Sequence, residues 1–196
     1  MKQTEKILGG LIIILMLIRL FFALPYFDIT ITLLILILSL MYFGLGFALL
    51  NNVRLRNIFK KDSYKGISTL RILGGIFTGL ILSLISIYSL FKFQRWPFAN
   101  EGLKISLYGL LPIIAIVIYK VVRSKNNYYP NFLIRLVIFG VIGTSLYFLS
   151  TEKILEMRNR DFPEYVEAEK KLMKEPENKE LQQKVREERI KMNKPE

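Results

Sequence analysis

Acidic residues are scarce in the apolar part of this chain, and that limits its chemistry. Residues 1–150 contain only Glu5, Asp28, Asp62 and Glu101, each at or beyond the end of a predicted helix. The chain contains no His and no Cys. Proton and ion pathways in membranes usually depend on a carboxylate inside a spanning helix, and most metal and thiol chemistry depends on His or Cys. We therefore predict no enzyme activity, no metal site and no cofactor.

Arg19 is the one charged residue well inside a predicted spanning helix. At a rise of 1.5 Å per residue it lies about 18 Å from the start of that helix. We expect the side chain to extend to the outer face of the membrane, toward Asp28. The alternatives are an ion pair with an acid of another subunit and a contact with a substrate or lipid phosphate.

A row of hydroxyl side chains follows one face of the third apolar run. Ser83, Ser86 and Ser89 recur every three residues, and Thr78 precedes them. Such a row can line a pore, but it more often bonds to a neighbouring helix or to its own backbone. No acid and no ring of charge accompanies the hydroxyls, as a conduction path would usually require. A conduction path along this helix is therefore the less favoured interpretation.

Five apolar runs, each close to the ~20 residues that cross a bilayer, must position these side chains. They cover residues 7–24, 29–50, 70–91, 105–122 and 132–150. Pro25 is expected to end the first helix, Asp28 to cap the second, and Ser68 or Thr69 to cap the third. Pro112 should kink the fourth. The pattern predicts an all-α, polytopic membrane protein with a five-helix transmembrane domain over residues 1–150.

Small residues on three of these helices can let backbones approach closely, as helix packing in lipid requires. We expect this packing to lie mainly within the chain. The predicted packing positions are Gly44, Ala48, Gly75, Gly79, Gly140 and Gly143.

Positive charge gathers at one end of the predicted bundle. Residues 1–150 carry 16 Lys/Arg and account for the whole net charge of +12. Twelve of the 16 lie in residues 2–6, 54–71 and 120–135, and three lie in residues 92–104. The positive-inside rule therefore places the N-terminus in the cytoplasm of a bacterial cell, with a multi-pass chain in the inner membrane. Five spans would place the C-terminus on the opposite, periplasmic side.

The connection between the second and third runs is strongly basic. Arg54, Arg56, Lys60 and Lys61 are candidates for contact with anionic lipid headgroups. One or two helical turns there would place Leu55, Ile58 and Phe59 toward lipid. Most of the charge is also explained by an ordinary cytoplasmic loop. Charge confined between apolar runs does not favour nucleic acid as a partner.

Residues 151–196 form a neutral tail, with 12 basic and 12 acidic residues. The pattern predicts two short amphipathic helices that start near Pro163 and break at Pro176. Their apolar stripes are too thin for an independent core. We expect Tyr165, Leu172, Leu181 and Val185 to dock on a partner, the alternative being a disordered end.

These patterns favour a non-catalytic membrane subunit of a larger inner-membrane complex. Its expected partners are membrane lipids and other membrane-protein subunits. The alternative is a small transporter or channel component with its path along the third helix.

Overall fold

The computed structural model describes residues 2–22, 26–123 and 128–192 and consists of helices and connections over these ranges. Two 3₁₀ turns, Leu55–Asn57 and Lys61–Tyr64, lie between the second and third helices. The α-helices are α1 Lys2–Phe21, α2 Phe27–Leu50, α3 Thr69–Gln94, α4 Ala99–Arg123, α5 Tyr128–Phe148, α6 Thr151–Arg158, α7 Pro163–Lys174 and α8 Lys179–Met192.

Among the described residues, four helices, α2 to α5, are long and apolar enough to cross a membrane. Consecutive helices from α1 to α5 run antiparallel, with α2 and α3 in extensive contact. α1 has 20 residues, but every 18-residue window in it includes at least three charged residues. The chain is thus a helical protein of the membrane type, and four of its helices qualify as spans on composition alone.

α2 and α3 approach each other through glycines. A Cβ atom on Gly46 would lie 2.7 Å from the Cα of Gly79, and a Cβ on Gly79 would lie 2.6 Å from the carbonyl oxygen of Tyr42. A Cβ on Gly75 would meet the Cα of Phe47 at 3.2 Å. Ala48 is fully buried in a neighbouring cluster. Gly44 was predicted to lie at a packing contact, but a Cβ atom there would have no heavy atom within 4 Å. Gly46 lies at the contact with α3 instead.

α4 packs between α3 and α5 through a second set of glycines. Gly102 lies directly against the ring of Tyr88, a contact that the sequence analysis missed. On α5, a Cβ at Gly140 would lie 3.3 Å from Leu110, and a Cβ at Gly143 would lie 3.1 Å from Leu107. These glycines allow α3, α4 and α5 to lie in close contact.

The predicted helix ends are partly correct. Ser68 caps α3, with its hydroxyl accepting a hydrogen bond from the Arg71 N–H. Asp28 does not cap α2, because Tyr26 holds the N-cap position and makes no side-chain cap bond. α1 ends at Phe21, and Pro25 lies outside the described residues. α4 continues through Pro112 as one helix.

Over residues 151–192 the chain folds as three helices, one more than the sequence predicted for the tail. α6 starts one residue after Ser150, whose hydroxyl accepts a hydrogen bond from the Lys153 N–H. α6, α7 and α8 enclose a small apolar cluster of Leu155, Tyr165, Val166, Ala168 and Val185. The thin apolar stripes of α7 and α8 are therefore covered mainly by one another and by α6.

The basic connection between α2 and α3 is folded against the bundle. Ile58 was expected to face lipid, but it is buried with Ala48 and Val53. Tyr64 secures the turn by donating its hydroxyl to the Ile58 carbonyl at 2.8 Å. Phe59 is 99% exposed, and its contact with lipid stays a prediction. The side chain of Leu55 lies outside the described part of the structure.

Candidate functional site: a cavity inside the helix bundle

A cavity of about 550 Å³ lies between α1, α2, α3 and α5. Its walls are mostly aliphatic. The lining includes Ile12 and Met16 from α1, Ile35 and Leu38 from α2, Ile85 from α3, and Ile138 and Ile142 from α5. Ligand pockets commonly have volumes of about 300–1,000 Å³, so this space is large enough to hold a small molecule.

Two consecutive glycines on α1 help to keep the cavity open. Gly9 and Gly10 both line it, and a Cβ atom on either would have no neighbouring heavy atom within 4 Å. Glycine inside a helix costs about 1 kcal/mol relative to alanine. Helix propensity therefore favours other residues at these two positions. Glycine leaves this part of the cavity unfilled.

A polar group closes one end of the cavity. Arg135 of α5 contacts the Glu5 carboxylate of α1 twice, from Nε to Oε1 at 2.5 Å and from Nη2 to Oε2 at 2.6 Å. The Tyr42 hydroxyl of α2 donates to the same carboxylate. Lys6 and Asn131 also line this end. The group therefore joins three helices across the cavity.

This polar group lies within the depth of the helix bundle. Tyr42 precedes the end of α2 at Leu50 by eight residues, which is about 12 Å at 1.5 Å per residue. α1 begins at Lys2 rather than at residue 7, so Glu5 lies in its first turn, at a helix end as expected. Its hydrogen bond with Tyr42 nevertheless places the carboxylate beside the interior of α2. The i, i+4, i+7 spacing of Glu5, Gly9 and Ile12 was the available signal.

The hydroxyl residues of α3 do not all line the cavity. Ser86 and Ser89 line the cavity, whereas Ser83 lies 2.7 Å from Ser39 in the contact between α2 and α3. Thr78 is buried but is not among the cavity-lining residues. Ser86 donates its hydroxyl to the Leu82 carbonyl. The buried Ser89 hydroxyl has no hydrogen-bond partner among the described residues. The four hydroxyl residues thus do not all face the cavity, and a conduction path along α3 stays a prediction.

Arg19 takes part in a second polar group at the opposite end of the bundle. Its Nε lies 3.0 Å from Asp28 Oδ1, the contact expected from the sequence. Arg158 of α6 approaches the same carboxylate at 2.7 Å and donates to the Phe93 carbonyl at 2.6 Å. Arg19 also donates to the Arg158 carbonyl at 2.9 Å. Burial lowers the pKa of Arg158 to about 10, and the Asp28 charge opposes that shift.

α7 is attached to the same end by another ion pair. Arg95, at the end of α3, lies 3.1 Å from Glu169 and donates to the Tyr165 hydroxyl. Leu172 packs against the tail cluster, and Leu181 is half-buried. Tyr165 and Val185 thus have apolar contacts within the chain, and their docking on a partner stays a prediction.

The remaining site candidates lie on the surface at the end of the bundle near Glu5. Arg54, Arg56, Lys60 and Lys61 are all exposed. Contact between these residues and anionic lipid stays a prediction. Among the described residues, no three His, Cys, Asp or Glu side chains are grouped to hold a metal ion.

The cavity combines an aliphatic wall with one polar end. Glu5 is held in a bidentate ion pair and a hydrogen bond, and the cavity wall is largely aliphatic. No protein-family model, curated protein or solved structure matches the chain. The cavity and its polar end are therefore the basis for a functional proposal.

Proposed function

We propose that the protein is a non-catalytic membrane protein that takes a membrane-dissolved molecule into the cavity as a binding or carrier component. The observation that carries this proposal is the ~550 Å³ aliphatic cavity with the Glu5–Tyr42–Arg135 group at one end. This is a form of the transporter alternative, with the cavity in place of a path along α3. Ser86 and Ser89 take part as lining residues.

The proposal includes α1 as a fifth span. α1 covers about 30 Å at 1.5 Å per residue, close to the hydrocarbon thickness of a bilayer. Two of its charges are paired inside the chain, Glu5 with Arg135 and Arg19 with Asp28. Pairing lowers the cost of placing charged residues in a spanning helix, which supports a transmembrane position despite the composition of α1.

We further propose an inner-membrane orientation with the N-terminus in the cytoplasm. Support comes from the basic residues, which are concentrated at the end of the bundle near Glu5. Reporter fusions after residues 60, 125 and 196 test this topology. Cytoplasmic signals after 60 and 125 and a periplasmic signal after 196 are expected. A cytoplasmic signal after all three positions would contradict it.

Membership of a larger membrane complex stays a prediction. One of its three sequence arguments was a tail with no place to bury its apolar residues, and the tail cluster now accounts for several of them. Purification in mild detergent separates the two interpretations. A complex subunit would bring partners in fixed stoichiometry, whereas a carrier would be recovered alone or as copies of itself.

Cavity filling tests the binding function directly. Gly9→Leu places a side chain in the cavity where no protein atom obstructs its Cβ. Gly44→Leu is the matched control, since Gly44 also has open space around it but does not line the cavity. Native mass spectrometry of protein from its own membranes should show a bound molecule for wild type and Gly44→Leu, and none for Gly9→Leu. Wild-type protein without any bound molecule would overturn the proposal.

A further inference from the structure

We infer that the molecule held in the cavity is an anionic amphiphile, with its charged headgroup at Lys6 and Arg135 and one acyl chain along α1 and α5. This inference rests on the proposed binding function and identifies the chemical class of the ligand. Its basis is the charge, length and side opening of the cavity.

The polar end of the cavity carries an excess positive charge. Arg135 neutralises Glu5 in a side-on ion pair through Nε and Nη2, which leaves Nη1 outside that pair. Lys6 also lines the cavity, and its ammonium group adds a positive charge. An anionic headgroup is therefore complementary to this end, whereas a cationic one would be repelled.

The length of the cavity matches an acyl chain of one membrane leaflet. Lining residues extend from Glu5 to Met16 on α1 and from Asn131 to Ile142 on α5. Each stretch advances 11 residues, or about 16 Å at 1.5 Å per residue. Half of a ~30 Å hydrocarbon core is about 15 Å. A chain extending from the polar end would meet Ile12, Ile13, Ile134 and Ile138 along most of that distance.

The cavity is accessible from the side of the bundle. Ile134 and Ile138 of α5 line it but remain 58% and 47% exposed, and Ile13 of α1 remains 39% exposed. A lipid chain can therefore enter between α1 and α5 without crossing the bundle. The Glu5–Arg135 ion pair joins α1 and α5 at the polar end of this opening.

Lipid retention tests the ligand class with the full-length protein. Purified protein is delipidated and placed in nanodiscs that contain equal amounts of phosphatidylcholine and phosphatidylglycerol, with oleate added in a parallel sample. Release into mild detergent and native mass spectrometry then identify the retained molecule by its mass. We expect about tenfold more anionic than zwitterionic amphiphile on wild-type protein. The two samples distinguish a phosphate headgroup from a carboxylate.

Charge variants locate the headgroup. Lys6→Gln should lower the anionic preference about fivefold, the contribution of one basic residue near an anionic surface. Lys120→Gln is the matched control, because Lys120 is an exposed basic residue at the same end that does not line the cavity, and it should leave the preference unchanged. An unchanged preference in Lys6→Gln, or an equal effect of both variants, would overturn the headgroup assignment.

The outcomes also separate this inference from the proposed function. Specific retention of phosphatidylcholine or of a neutral molecule, lost in Gly9→Leu, would refute the anionic ligand but retain the binding function. Absence of retention in wild type, or equal retention by Gly9→Leu, would refute both.

Discussion

Glu5 and Arg135 are 130 residues apart in the sequence, yet they form a bidentate ion pair that joins α1 to α5 across the cavity. The Arg135 Nη2–Glu5 Oε2 distance is 2.6 Å, and the two side chains are 16% and 9% exposed, respectively. Removing one member of a buried ion pair leaves the other charge uncompensated, which is more destabilising than removing both. The pair therefore contributes to holding α1 against the bundle, together with the Arg19–Asp28 ion pair at the other end of the helix.

We expect Glu5→Gln to destabilise the protein by roughly 3–5 kcal/mol, because Arg135 would lose its counter-charge in a mostly buried position. Thermal unfolding followed by circular dichroism in detergent measures this loss. Glu5→Gln combined with Arg135→Gln should recover part of the stability, since two neutral amides leave no unpaired charge. Glu101→Gln, at an exposed acid on α4, is the control. Additive losses in the double variant would show that the two residues do not interact.

Gly46→Leu should disrupt the contact between α2 and α3. Even the first added atom would lie 2.7 Å from the backbone of Gly79, and overpacking typically costs about 1–3 kcal/mol or more. Gly79→Leu should behave in the same way because its Cβ would meet the Tyr42 backbone. Gly44→Leu, two residues away on the same helix, should unfold at the wild-type temperature. Monodispersity and melting temperature in detergent compare these variants, and similar values for Gly44→Leu and Gly46→Leu would contradict this packing.

Asp28 is the acid shared by two guanidinium groups. Asp28→Asn would remove the negative charge that pairs with both Arg19 and Arg158. Both arginines are largely buried. Since Asp28 itself is 39% exposed, solvent reduces the effect, and we expect a loss of roughly 1–3 kcal/mol. Asp62→Asn is the matched control, because Asp62 and its partner Lys65 are both 81% exposed. Equal melting temperatures for the two variants would show that the network adds little stability.

The sequence predicted the helices better than it predicted their polar contacts. Long apolar runs and the Ser68 cap are local features of the sequence. They predicted the ends of α2 to α5 to within a few residues, except that α4 and α5 begin about one to two turns earlier than predicted. The beginning of α1 was missed because polar residues Lys2, Glu5 and Lys6 precede its apolar run. Their helical position depends on partners elsewhere in the chain, such as Arg135 and Tyr42.

The cavity could not be predicted from the sequence either. Gly9 and Gly10 resemble other small-residue pairs in membrane helices, and the sequence does not show that they face empty space. Likewise, Ser83 and Ser86 share a spacing that suggests one stripe, yet Ser83 bonds within the α2–α3 contact and Ser86 lines the cavity. These differences depend on the helix crossing, which a single-helix periodicity does not specify.

Removal of residues 161–196 separates a stabilising role of the tail from docking on a partner. The truncation deletes α7 and α8 but retains Arg158, so the Arg19–Asp28–Arg158 network should persist. It also removes the Glu169 partner of Arg95 and uncovers Leu155. We therefore expect an inserted, folded bundle with a stability loss of roughly 1–3 kcal/mol, comparable to the burial of one large apolar side chain.

Two measurements decide what else the tail does. Hydrogen exchange on the full-length protein should show protected amides in α7 and α8, because their apolar residues are packed with α6. Exchange at random-coil rates would contradict that packing. Mild-detergent purification of full-length and truncated protein then tests docking. Loss of a stoichiometric partner on truncation, with the bundle still folded, would support a partner surface on α7 and α8. Recovery of the same partners, or of none, with both proteins would mean that the tail only stabilises its own bundle, through contacts such as Arg95–Glu169.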